Sequence, residues 1–131
     1  MDSSHHVLAI IAPNPDTVSE TYVRQHIQLI CPQKTVVVYF DGEGNSVRNI
    51  PSLKIENSSE SGVIRKLHGL FNLIRHGYGG ALRGRQKTAV IDFFKEHRVS
   101  CVLAEFGQMG CKIKAPCQAL GLPLFVFFHG H

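Results

Sequence analysis

The sequence VLAIIA at residues 7–12 is a continuous apolar run, and the sequence PNPD at residues 13–16 ends this run abruptly. A short apolar run without alternating polar residues is typical of a strand that is buried on both faces of a sheet. Such strands belong to parallel sheets that are covered by helices on both sides. This N-terminal stretch therefore predicts an α/β protein.

Similar apolar runs recur along the rest of the chain, and they alternate with segments whose apolar residues have helical spacing. Strands are predicted at 35–40, 99–104 and 124–128, with a short one near 53–55. Helices are predicted from residue 19 to Pro32, at 62–75, at 88–97 and at 109–120, the last one capped by Gly121. We expect one Rossmann-like domain over residues 1–131, a parallel sheet with helices on both faces.

Length and composition fit a folded domain. The chain has 131 residues, of which 44% are hydrophobic and 18% charged, and this balance is unlike that of a disordered protein. No apolar run reaches the ~20 residues of a membrane span. The N-terminus lacks the basic region and cleavage site of a signal peptide, so we expect a cytoplasmic location.

Positive charge is concentrated in one segment. The net charge is +4, and residues 65–87 contain six basic side chains but no Asp or Glu. This basic cluster consists of Arg65, Lys66, Arg75, Arg83, Arg85 and Lys87. It is either a solvated face over a packed helix or a docking surface for anionic membrane, which would hold the protein on the inner face of that membrane.

Four cysteines and a pair of histidines are candidate ligands for a metal ion. None of the cysteines forms a C-x-x-C pair, so we expect reduced, buried thiols. His129 and His131 follow the last strand, but a metal site would need a third ligand, and Glu105 is the nearby candidate. We expect no metal and no cofactor, and interpret a histidine here as a polar contact to sugar or phosphate, or as a buried structural residue.

Ligands of open parallel sheets bind beyond the carboxyl ends of the strands. That rule selects residues 13–21, 105–110 and 129–131, which we expect to converge on one edge. The loop after the first strand has no glycine, which argues against a dinucleotide site. The SET sequence at 19–21 opens a helix, where hydroxyls and amides either cap the helix or bind a ligand.

Three groups of residues carry a resemblance to a known family. They are Pro15 with the SETYV and HI sequences at 19–23 and 26–27, the VLAEFG sequence at 102–107 with Gly110, and the ALGLPL and HGH sequences at 119–124 and 129–131. Their order and spacing resemble family 4 glycosyltransferases, which are retaining GT-B enzymes. The resemblance spans nearly the whole chain. This chain departs from it where the family has histidines near Ala104 and Glu105, and at Tyr22 in place of the commoner Phe.

The resemblance implies that this chain is the N-terminal half of a GT-B fold. The implied enzyme transfers a sugar from a nucleotide-sugar donor to a saccharide or lipid-linked acceptor, and it needs no metal. The implied pathway is polysaccharide or cell-envelope biosynthesis. His129 is the implied catalytic residue beside the transferred sugar. Substrate-binding roles are implied for Asn14, Ser19, Glu20, Thr21, Phe106, Gly107 and His131. The partner is a C-terminal donor-binding domain that this chain lacks.

Two other functions stay open at this level. One is a stand-alone flavodoxin-like module that binds a nucleotide or phosphate. The other is a basic nucleic-acid-binding domain, which the basic cluster alone favours. Because aromatic residues are sparse within that cluster, we expect no nucleic acid partner.

Overall fold

The structure is a computed structural model that describes residues 6–16, 21–31, 33–55, 81–82 and 84–128. The helix predicted at 62–75 lies outside these residues. Within them, every strand predicted from the sequence is present.

Five strands of the described residues form one parallel sheet. They are β1 (Leu8–Ala12), β2 (Thr35–Tyr39), β3 (Ser52–Lys54), β4 (Cys101–Glu105) and β5 (Leu124–Phe127). The order across the sheet is β3-β2-β1-β4-β5, so the direction of winding reverses between β1 and β4. This order confirms a Rossmann-like fold. It differs from the flavodoxin-like order, in which β1 and β3 are neighbours. The alternative of a stand-alone module that binds a nucleotide or phosphate stays a prediction.

Three α-helices connect the strands in the described residues. They are α1 (Thr21–Leu29), α2 (Gly84–Glu96) and α3 (Gly107–Leu120), with a short 3₁₀ helix at Asn45–Val47. Both α2 and α3 begin before the residues predicted, 88 and 109, because residues 84–87 and 107–108 contain no apolar side chain to show the helical period. Gly121 caps α3 in the left-handed conformation as expected, and its N–H is bonded to carbonyls of the last turn.

The sheet is covered on both faces. One face packs against α2 and α3, whose buried residues include Phe94 and Ile113, and receives Ile11 and Val38 from the strands. The opposite face, which we call the α1 face, packs Ile10 and Val37 against Ile27 of α1. Alternate residues of β1 thus point to opposite cores, as the uninterrupted apolar run predicted.

Pro116 lies inside α3 and not at its boundary. Proline has no N–H, so the carbonyl of Lys112, four residues earlier, loses its usual partner in the helix. The backbone N–H of Leu82 bonds to that carbonyl at 3.3 Å instead. The proline therefore creates the acceptor that attaches the segment before α2 to α3.

The cysteines are unpaired in the described residues, which contain all four of them. Cys117 is buried in the core, and burial raises its pKa to about 11. Cys111, however, is exposed, so the expectation of four buried thiols is wrong at this position. It lies on the outer surface of α3, where no strand reaches it.

Gly110 fixes the distance between α3 and β5. A Cβ atom on this glycine would lie 2.8 Å from Cγ2 of Val126, closer than real Cβ contacts allow. Although alanine is favoured over glycine by about 1 kcal/mol in a helix, we expect Gly110→Ala to destabilise the fold by about 1–3 kcal/mol through this clash. Chemical unfolding would measure the change.

The control is the double variant with Val126→Ala. Removal of the clashing methyl group should make the double variant more stable than the sum of the two single changes. A Gly110→Ala variant more stable than the wild type would contradict the close packing of α3 on β5.

Candidate functional site

The loops that follow β1, β4 and β5 leave from one edge of the sheet. The three strands are parallel neighbours, with Ile11 paired to Ala104 and Glu105 paired to Phe127. This edge lies at the reversal of strand order, where open α/β sheets leave a crevice for ligands. The parallel strands bring residues 13–16 and 105–110 to the same edge, as predicted. Residues 17–20 and 129–131 lie outside the described residues, so their part in the convergence stays a prediction.

A buried carboxylate lies at this edge. Glu105, the last residue of β4, is 0% exposed, and its Oε1 lies 2.5 Å from Nδ1 of His26 on α1. Because an unpartnered charge in a protein interior costs several kcal/mol, such a carboxylate requires partners. His26 is one of them, and the bond ties α1 to the centre of the sheet.

The bond also sets the chemistry of the imidazole. A carboxylate accepts hydrogen bonds, so the Nδ1 of His26 carries the proton that it donates to Glu105. In a neutral ring, Nε2 is then the nitrogen with a lone pair. The Glu105–His26 pair therefore fixes the tautomer, as the outer partners of metal-bound and catalytic histidines do.

Aromatic side chains lie beside the pair. The rings of His26 and Phe127 meet in a T shape, with centroids 4.8 Å apart and planes at 75°. Phe127 is 41% exposed and Phe128 is 76% exposed, whereas the side chain of His26 is 19% exposed. This part of the edge combines a fixed polar group with apolar surface that solvent reaches.

The backbone of Phe106 is strained. It joins β4 to α3 with φ 79° and ψ 151°, a conformation that is open essentially to glycine alone. Its N–H bonds to the carbonyl of Phe127, which holds the turn against β5. The next residue is Gly107, where a Cβ atom would lie 3.0 Å from Cε1 of Phe128. The two residues thus bring the start of α3 close to the end of β5.

Two substitutions of Phe106 would measure the strain. Ala and Gly both remove the aromatic ring, so the difference between them reports the backbone alone. We expect Phe106→Gly to be more stable than Phe106→Ala by about 1–2 kcal/mol, the reverse of their order at ordinary positions. Thermal or chemical unfolding would show it. Equal stability of the two variants, or a more stable Ala variant, would mean that residue 106 is unstrained.

Asp16 holds together the loops that follow β1 and β2. Its carboxylate accepts hydrogen bonds from the backbone N–H groups of residues 43–46, at 2.8–3.1 Å, and from the hydroxyl of Ser46 at 2.9 Å. Partial burial raises the pKa of Asp16, but the bonds from Ser46, Asn45 and Gly44 outweigh it and keep the pKa below its usual value. Successive N–H groups of this kind form an anion-binding nest, filled here by the protein's own side chain.

The lowered pKa gives a pH-dependent stability. The stability that ionised Asp16 contributes to the fold is fully present above ~3.9, the pKa of this side chain in the unfolded chain. It is lost as the pH falls through the lower pKa of Asp16 in the folded protein. We expect the wild type to be more stable than Asp16→Asn at about pH 6, with the gap closing toward about pH 2. Urea unfolding of both proteins across this range would test it. If the difference in stability between the wild type and Asp16→Asn were the same at every pH, the ionised carboxylate would not contribute to the stability of the fold.

The structure describes some of the residues predicted from the sequence. Asn14 lies in the loop after β1, where its Oδ1 accepts the N–H of Asp16 at 2.9 Å. Thr21 is the first residue of α1, and Phe106 and Gly107 join β4 to α3. The substrate-binding roles of these four stay predictions. Ser19, Glu20, His129 and His131 lie outside the described residues, as does Thr21's side chain.

The basic cluster is described only in part. Arg85 and Lys87 lie in the first turn of α2, where Arg85 is exposed and Lys87 half-buried. Arg65, Lys66, Arg75 and Arg83 lie outside the described residues. In the part of the chain that is described, no helix is long and apolar enough to cross a bilayer.

Metal ligands do not cluster in the described ranges. No three His, Cys, Asp or Glu side chains there approach one another as a metal site requires. Glu105, considered above as a third ligand for the histidine pair at 129 and 131, is bonded to His26. The histidine pair itself lies outside the described residues.

Sequence reasoning missed three residues of this edge. Nothing in the sequence indicated that Glu105 and His26 pair: Glu105 was predicted as a possible metal ligand at this edge, and both residues lie in motifs. An acidic residue that ends an apolar strand is itself a signal of such a buried carboxylate. The third, Lys112 of α3, lies with its Nζ 5.3 Å from the ring centroid of Phe40, on the other face of the sheet. Burial lowers its pKa.

Comparison with protein families, curated proteins and solved structures finds no match to this chain. Evidence for function therefore comes from the motifs in the sequence and from the geometry of the carboxyl edge, the edge of the sheet from which the loops after β1, β4 and β5 leave.

Proposed function

We propose that this chain is the acceptor-binding N-terminal domain of a retaining GT-B glycosyltransferase. The observation that carries the proposal is the Glu105–His26 pair at the reversal of strand order. A fully buried carboxylate that orients a histidine is a costly arrangement for stability alone. It is typical of sites where a polar group must be held in one position for a ligand.

The resemblance to family 4 glycosyltransferases supports the same edge. Of its three groups of residues, the first includes the start of α1 and His26, and the second is the end of β4 with Phe106 and Gly107. The third runs from the end of α3 to the first residue of β5, and its HGH sequence lies outside the described residues. The motifs in the sequence and the buried pair thus lie in one part of the fold, and both residues of the pair belong to the motifs.

In the proposed reaction, a sugar passes from a nucleotide-sugar donor to a saccharide or lipid-linked acceptor with retention at the anomeric carbon. The acceptor binds against this domain, and His129 contacts the transferred sugar or the leaving phosphate. The donor is bound mainly by a second domain of the whole protein. Catalysis then needs groups from both domains, because the transition state must be enclosed and oriented.

The basic cluster is proposed to dock this enzyme on anionic membrane. The first turn of α2 contains Arg85 and Lys87 and no acidic residue, although cations oppose the helix dipole at that end. Helix stability therefore does not account for them. Each basic residue near an anionic surface contributes about 1 kcal/mol of attraction, which would bring the enzyme to a lipid-linked acceptor on the inner face of the membrane.

Separate assays of binding and transfer test the proposal. We expect the 131-residue chain to bind saccharides at residues of the carboxyl edge, and to transfer no sugar from UDP-, GDP- or dTDP-sugars. Amide chemical shifts of ¹⁵N-labelled chain would report binding, and release of nucleotide would report transfer. Multiple-turnover transfer by the chain alone would contradict the two-domain proposal. Saccharide-induced shifts confined to the amino edge of the sheet would contradict the site.

A further inference from the structure

Two cysteines lie at the amino edge of the sheet, where the strands begin. Leu8 of β1 is paired with Thr35 on one side and with Cys101, the first residue of β4, on the other. The hydroxyl of Thr35 donates a hydrogen bond of 2.7 Å to the carbonyl of Cys31, which follows α1. Both cysteines therefore lie near the start of β1, at the edge opposite to the proposed acceptor site.

The side chains of the two cysteines share one environment. Both are free thiols, and both pack, partly buried, against the apolar cluster of the α1 face. Burial raises the pKa of Cys101, and the charge of the nearby Cys31 raises it further, whereas a hydrogen bond with the side chain of Ser100 lowers it. The other two cysteines lie on α3, across the sheet, where Cys111 is exposed and Cys117 is buried in the core.

From this arrangement we propose that Cys31 and Cys101 are a site of reversible oxidation, at which a disulfide links the end of α1 to the start of β4. The oxidant is a low-molecular-weight disulfide, for which oxidised glutathione is the probe. One protein thiolate attacks a sulfur of the oxidant and releases one glutathione thiolate. The second protein thiolate attacks the mixed disulfide and releases the other. The protein loses two protons and two electrons, and one glutathione disulfide becomes two glutathiones.

The electrostatics of the pair favour Cys31 as the first thiol to react. Thiolates are the nucleophiles in disulfide exchange, so the raised pKa of Cys101 slows attack from that position. Once Cys31 is part of the mixed disulfide it carries no charge, and its repulsion of the Cys101 thiolate is removed. Cys101 then ionises more easily, and its thiolate completes the bond.

The disulfide joins the same two elements that are already joined at the carboxyl edge. His26 lies on α1 and is bonded to Glu105 at the end of β4, so oxidation would attach α1 to β4 at both edges of the sheet. A cross-link between distant positions of the chain also restricts the unfolded state, because it closes a long loop. We therefore expect the oxidised form to be more stable and its α1 to open less often.

The first test oxidises the 131-residue chain with glutathione disulfide under native conditions, and N-ethylmaleimide then alkylates the remaining thiols. Trypsin leaves Cys101 and Cys111 in one peptide, so a second cleavage after Glu105 separates them before mass spectrometry. We expect one dominant intramolecular cross-link, between Cys31 and Cys101, which dithiothreitol removes. A dominant cross-link of another pair, or no cross-link, would overturn the proposal.

Single variants separate this pair from the other thiols. Cys31→Ser and Cys101→Ser should each abolish the cross-link, whereas Cys111→Ser and Cys117→Ala should retain it. Cys101→Ser should also form the glutathione adduct at Cys31 several-fold faster than Cys31→Ser forms it at Cys101. Equal or faster reaction at Cys101 would overturn the proposed order of attack.

The second test compares the stability of the two redox forms. It uses the Cys111→Ser variant, in which the exposed thiol cannot join two chains. We expect oxidation to raise the melting temperature by about 5–15 °C and to slow hydrogen exchange in α1. Dithiothreitol should reverse both effects, and the additional change Cys31→Ser should prevent them. An oxidised form that melts at the same temperature as the reduced form, or lower, would show that the bond distorts the fold and would overturn the proposal.

Discussion

One constraint organises the carboxyl edge of the sheet: the carboxylate of Glu105, at the end of a central strand, is fully buried. Glu105 lies between hydrophobic layers, and a charge in that position costs several kcal/mol unless it is hydrogen-bonded. His26 supplies a bond from α1, so the helix that follows β1 is fixed relative to β4. The crevice at the reversal of strand order is thereby lined by polar groups whose orientation is fixed before any ligand binds.

The rest of the carboxyl edge is organised in the same way, by local interactions that stabilise loops. The carboxylate of Asp16 accepts hydrogen bonds from four successive N–H groups of the loop after β2. In the loop after β1, the side chain of Asn14 accepts a hydrogen bond from the N–H of Asp16. The turn at Phe106 keeps a conformation that glycine would adopt more easily, held by its bond to Phe127. Backbone strain of this kind persists where several surrounding contacts hold the residue in place, and it is common near functional sites. The edge is therefore rigid and prearranged in the part that the structure describes.

The sequence predicted the fold well and the site only in part. The run at residues 7–12 and the strand at 35–39 were recognisable because burial on both faces removes nearly all polar residues from a strand. The last strand is equally apolar, although Phe125 and Phe127 are exposed. The first turns of α2 and α3 were missed, because Arg85, Lys87 and Gln108 carry no hydrophobic period. The pairing of Glu105 with His26 was not predictable either, since residues 79 positions apart meet only through the crossover of the sheet. The strain at Phe106 depends on tertiary contacts and leaves no mark in the composition.

The most direct measurement of the central claim is the free energy of unfolding of a double variant, His26→Leu with Glu105→Met. If the pair is kept for ligand binding at a cost in stability, replacement of both residues by apolar ones should be nearly neutral or stabilising, because neither side chain is then left buried without its partner. His26→Leu alone, which leaves the carboxylate without this partner, should cost about 3 kcal/mol. A double variant that loses as much stability as the two single variants combined would contradict the account, because the pair would then be a structural element of the core.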